Sequence, residues 1–127
     1  MKCKVVLNYG DNAIERYECF GELKFENGGF SLDYDFNGDK CRLFYDGKIL
    51  IQNRRGKMRI DITFAEGKQT VCFTEDTALG YNCLLNVKTY GINYAKTESG
   101  LTLNLDYTVE DVRTVLNLTA ETGKEKK

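Results

Sequence analysis

KILIQNRRGKMRIDITFAEG, residues 48–67, is the stretch that decides the fold. On either side of Arg55-Gly56 apolar residues recur at every second position, the pattern of a half-buried β-hairpin. A tight turn on Arg55-Gly56, where glycine takes positive φ without steric cost, predicts Asn53 opposite Met58, Ile51 opposite Ile60 and Ile49 opposite Ile62. The inward face is then apolar apart from Asn53 and continues to Phe64, while Arg54 faces Lys57 and Gln52 faces Arg59 on the outside. Lys48, Arg54, Arg55, Lys57 and Arg59 precede the first acid, Asp61, so the hairpin 48–59 also forms a basic surface.

The same two-residue period extends outward in both directions. Cys3, Val5, Leu7 and Tyr9 share a face that stops at Gly10-Asp11-Asn12. A strand over about 14–25 offers Tyr17, Cys19, Leu23 and Phe25, with Gly21 placed for a bend. Asn27-Gly28-Gly29 turns the chain into Phe30, Leu32, Tyr34 and Phe36, and Asn37-Gly38 turns it back into Cys41, Leu43 and Tyr45. At Asp46-Gly47 two registers remain open: a two-residue loop sets Phe44 opposite Ile49, a three-residue loop sets Tyr45 there. Beyond Glu66-Gly67, Val71 and Phe73 lie on one side of a strand over 68–74, and an irregular connection spans 74–80. Tyr81, Cys83, Leu85 and Val87, then a strand at about 90–97, lead to the clean alternation Leu101, Leu103, Leu105, Tyr107. The last strand, about 112–120, turns Leu116 and Leu118 inward, and the charged tail ETGKEKK, 121–127, is expected to be disordered.

These segments predict an all-β domain over 1–120: about eight to ten antiparallel strands, little or no helix, nearly every connection of hairpin length. Closure into an up-and-down barrel leaves no unpaired edge; a two-sheet sandwich is the alternative. The outward positions are polar, the reverse of a membrane barrel.

Composition narrows the chemistry. Eighteen basic and nineteen acidic residues give a net charge of −1, which argues against affinity for nucleic acid or an anionic membrane driven by overall charge. The first residues, MKCKVVLNYGDN, carry no signal core, and a cytoplasmic location is the expectation. Five cysteines without a C-x-x-C spacing, in a chain with no histidine, read as reduced thiols in apolar positions, and no metal site or cofactor is expected. Asp33 and Asp35 stand two apart on a polar strand face and read as solvated surface, so no catalytic residue is assigned.

Arg54-x-Gly56, Phe64, Gly67, Gly80, Thr89 and the late stretch Gly100-Leu101-Thr102-Leu103-Asn104-Leu105-Asp106-Tyr107 resemble a known pattern. It is that of the YwiB-like, calycin-like β-barrel proteins of Gram-positive bacteria, a family of unknown function. The resemblance covers roughly 30–120 and rests on turn glycines and core positions; Leu79 stands where the family carries a proline. It implies a lipocalin-shaped closed barrel and no particular chemistry.

Two functional expectations follow. In the first, a non-enzymatic barrel binds a small apolar or amphipathic ligand at its mouth, with Asn53, Tyr34 and Tyr107 as the polar contacts. The expected inward rings (Tyr17, Phe25, Phe30, Tyr34, Phe36, Phe64, Phe73, Tyr94, Tyr107) favour a filled interior or a narrow slot near that mouth. In the second, Arg54, Arg55, Lys57 and Arg59 recognise an anionic partner such as a phosphate-bearing ligand, RNA or an acidic protein. No aromatic residues interleave with these arginines, which counts against stacking on single-stranded nucleic acid.

Overall fold

Inward-facing apolar residues at every second position force most of this chain into strands, and the strands pair in sequence order. In the computed structural model, which describes residues 1–10, 15–26 and 28–122, they are β1 (Lys2–Gly10), β2 (Glu15–Glu26), β3 (Gly29–Phe36), β4 (Asp39–Tyr45) and β5 (Ile49–Arg55). They continue as β6 (Met58–Ala65), β7 (Gln69–Asp76), β8 (Asn82–Lys96), β9 (Gly100–Val109) and β10 (Val112–Thr122). Each strand pairs antiparallel with the next, and β10 returns to β1 with Leu118 opposite Leu7 and Ala120 opposite Val5, closing a ten-stranded barrel. No helix occurs among the described residues, so none is long and apolar enough to cross a membrane. Asp11, Asn12 and Asn27 of the expected turns, and the tail from residue 123, lie outside the described residues. Glu121 and Thr122, expected in the tail, belong to β10, where Thr122 pairs with Cys3.

The up-and-down order gives the barrel two unlike ends. At the end that carries the β2–β3, β4–β5, β6–β7 and β8–β9 turns, Phe30, Tyr45 and Tyr94 pack together with ring centroids 5.3–6.1 Å apart and plug the interior. A middle layer of Val5, Leu23, Leu32, Leu43, Leu50, Phe64, Val87, Leu103 and Leu118 is almost wholly buried. Ile62 and Leu105 are buried as expected, and Ile60 packs half-buried against the same cluster.

The register of the central hairpin differs from the expected one. Gln52 lies opposite Ile62, Asn53 opposite Asp61 and Arg54 opposite Ile60, three residues out of the two-residue-turn register. Four residues, 46–49, lie between the paired Tyr45 and Leu50, so neither expected register at Asp46-Gly47 holds. The Asp46 carboxylate accepts from the backbone N–H groups of Lys48 and Ile49, both at 2.8 Å, and Asp46 N–H donates to the Ile49 carbonyl. That loop turns Leu50 inward, fully buried, and leaves Ile49 40 % exposed. Everything on β5 is thereby inverted: Leu50, Gln52 and Arg54 face the interior, Ile49, Ile51 and Asn53 the outside. Gly56 is not at positive φ. Its role is space, because a Cβ there would lie 1.8 Å from the Asp39 carboxylate.

Two further faces differ. On β7 the buried residue is Cys72, with Val71 half-exposed and Phe73 on the outside beneath the Arg59 guanidinium, 5.2 Å from its centroid. The stretches expected as separate strands around 81–87 and 90–97 form one strand, β8, with a bulge between Thr89 and Gly91. The bulge inserts Tyr90 and returns Ile92 and Tyr94 to the inward face.

Candidate functional site

At the end opposite the aromatic plug the interior is open. Leu7 and Tyr9 of β1, Tyr34 and Phe36 of β3, Gln52 and Arg54 of β5, and Ile60 and Ile62 of β6 line part of a cavity of about 330 Å³. Cys72, Thr74, Leu85, Tyr107, Val109 and Leu116 complete it. All belong to inward faces, so the cavity is the upper half of the barrel core left unfilled. The side chains that β7 sends inward there are small, Cys72 and Thr74, which is where the room comes from.

Its polar groups are few and held. Tyr34 is 5 % exposed, and its hydroxyl accepts from Gln52 Nε2 at 3.3 Å. Tyr107 packs edge-on against Phe64, centroids 4.8 Å apart. Burial pushes both phenols up from their ordinary range, and it pushes the Cys41 and Cys72 thiols up to about 11. At neutral pH these groups are uncharged. The five cysteines are free, and no cluster of three His, Cys, Asp or Glu side chains suited to a metal occurs among the described residues.

Arg54 sits at the rim. Its Nε donates to Asp39 Oδ2 at 2.7 Å, and its guanidinium lies over the Phe36 ring at 5.0 Å, a ring braced edge-on by Tyr17 at 4.5 Å. Asp39, at the start of β4, is only 4 % exposed, and its other oxygen accepts from the Lys57 backbone N–H at 3.1 Å. The Arg54 hydrogen bond, helped by that of Lys57, holds the Asp39 carboxyl below its usual range. A depressed carboxylate stabilises the fold fully above its unfolded value, about 3.9, and the contribution is lost as pH falls through the lower folded value. Asp39→Asn is therefore expected to be less stable than the parent near pH 7, with the gap closing as pH falls below the unfolded value and through the lower folded one. Urea denaturation across that range measures it; a gap that is constant with pH would show that the Asp39 charge is irrelevant.

Tyr34 and Tyr107 thus reach the cavity, and Asn53 does not. It lies on the outer wall between Arg42 and Asp61, in an open groove of about 430 Å³ that also holds Phe20, Asp33, Asp35, Lys40 and Arg55. The charges there are paired: Asp33 with Arg42 at 3.2 Å, Asp35 with Lys40 at 3.5 Å. The basic hairpin is likewise divided and largely compensated. Arg54 is turned inward onto Asp39, while Arg55 at 2.8 Å and Arg59 at 3.2 Å share Asp61 outside. Arg54, Lys57 and Arg59 do not form the common face expected of them. Sequence reasoning missed Gln52 and Asp39 as members of the site. The signal for Asp39 was a lone acid just after Asn37-Gly38, legible only once the register of β5 is known.

No protein-family model matches this chain, and no curated protein matches it in sequence. Among solved structures it is similar to the crystal structure of the YwiB protein from Bacillus subtilis, with a TM-score of 0.80 at 15% sequence identity, covering 97% of this chain and 91% of that one. At that identity the likeness establishes architecture: this chain has a YwiB-like fold.

Proposed function

We propose that this protein is a non-enzymatic, calycin-like member of the YwiB-like group that binds a small apolar or amphipathic molecule in the open end of its barrel. The observation that carries this reading is the unfilled upper core: about 330 Å³ lined mainly by Leu, Ile, Val and aromatic side chains, above a plug of Phe30, Tyr45 and Tyr94. Ligand sites are typically concave, mostly apolar and furnished with a few fixed polar groups, and a 300 Å³ cavity lies at the small end of their range. The alternative, an anionic partner on the basic hairpin, has weaker support because Asp39 and Asp61 offset Arg54, Arg55 and Arg59.

Titration with the uncharged dye N-phenyl-1-naphthylamine, which brightens in apolar surroundings, tests the reading. The parent protein is expected to bind it. Ile60→Trp and Leu85→Trp, which place an indole in the cavity, should weaken binding about tenfold or more, and Asn53→Leu on the outer wall should leave it unchanged. Absence of dye binding by the parent, or equal binding by both filled variants, would overturn it.

A further inference from the structure

Among the described residues that line the cavity, Arg54 alone is charged, and its charge is already balanced by Asp39. Only Nε is engaged; neither terminal nitrogen of the guanidinium has an acceptor among the described residues. The Phe36 ring beneath and the Asp39 carboxylate beside it fix the plane of the group, so these N–H donors are preorganised. Two residues back on the same inward face, Gln52 gives its amide nitrogen to Tyr34, and no donor meets its carbonyl oxygen among the described residues. The rim therefore offers strong donors beside the Gln52 acceptor, with no net charge between Arg54 and Asp39. Glu15, next to Tyr9, adds a further negative charge nearby.

Building on the cavity reading above, we infer that the ligand is a neutral amphipath: an apolar body with an uncharged head that both accepts and donates hydrogen bonds, of the primary amide type. The head's oxygen takes the free Arg54 N–H groups and its N–H meets the Gln52 carbonyl. A carboxylate would lose its hydration for an attraction that Asp39 half cancels, and an ammonium would face the Arg54 guanidinium across a rim where the Asp39 carboxylate is already committed to that guanidinium. At about 30 Å³ per water, 330 Å³ holds on the order of ten heavy atoms, the size of an eight-carbon amide.

Calorimetric titration of the intact protein with octanamide, octanoate and octylammonium near pH 7 separates the possibilities on one chain length. Octanamide is expected to bind about tenfold or more tightly than either ion. Asp39→Asn, which leaves the guanidinium charge unbalanced, should raise the octanoate-to-octanamide affinity ratio by about tenfold. The comparison on the parent protein requires no variant to fold. If N-phenyl-1-naphthylamine fails to bind, the cavity reading falls and this inference with it. If the dye binds but octanoate matches or exceeds octanamide on the parent, the head-group inference alone is overturned.

Discussion

Truncating Leu50 to alanine is expected to destabilise the barrel by about 3–5 kcal/mol, while the same change at Ile49 should cost about 0.5 kcal/mol. Leu50 is fully buried in the middle layer, opposite Phe64 on one side and Tyr45 on the other, so the vacated space cannot collapse without moving two rings. Ile49 is 40 % exposed at the end of the loop and loses little contact. Urea unfolding of both variants at unchanged slope gives the two values directly. The reverse order would mean that Ile49, Ile51 and Asn53 face the core. Arg54 would then leave the cavity mouth, and the ligand chemistry inferred for it would fail at its foundation.

That pair of variants also marks where sequence stops being informative. Along β9, Leu101, Leu103, Leu105 and Tyr107 alternate with Thr, Asn and Asp, and a one-residue slip would bury three polar groups; only one face is possible there. Ile49-Leu50-Ile51 offers an apolar residue on both faces, so the face of β5 is set by the length of the loop before it. That length depends on Asp46 capping two backbone N–H groups, a local geometry that period-two counting does not see. The error then moved Asn53 in and Arg54 out.

The size of the cavity is illegible in the sequence for a related reason. In Gln69–Asp76 the large residues Val71 and Phe73 point out, against the usual rule, and Cys72 and Thr74 point in. Arg59 covers the Phe73 ring outside, which lowers the cost of exposing it. Counting Phe73 among the inward rings favours a filled interior or a narrow slot; with it outside, the barrel has small residues on one wall and space in front of them. Here the inverted face of β7 leaves room in the barrel, and alternation alone assigns such a strand backwards.

Gly100→Ala should lower stability by about 3 kcal/mol or more, although it adds one methyl group. A Cβ at Gly100 would lie 1.7 Å from the Ala120 carbonyl oxygen and 2.8 Å from its carbon, so the obstruction is the backbone of β10, which cannot rotate aside. Relief means sliding β10 along β9. At this corner Thr97 N–H donates to the Gly100 carbonyl at 2.8 Å and Thr122 N–H to the Ser99 carbonyl at 2.6 Å, and both bonds would stretch. Thr122 also pairs with Cys3 across the seam where β10 meets β1, so the displacement reaches the joint that closes the barrel. Gly91 supplies the contrast. It sits beside the β8 bulge, away from positive φ, with the nearest atom to an added Cβ 3.8 Å away. Gly91→Ala should leave stability unchanged or raise it by up to about 1 kcal/mol, through a less flexible unfolded chain. Hydrogen exchange resolves the mechanism as well as the size: in Gly100→Ala the amides of β10 and β1 at the seam should lose protection before those of β5 and β6. A Gly100→Ala protein as stable as the parent would mean that β9 and β10 do not approach this closely at the corner, and the seam would then have to be closed by contacts elsewhere.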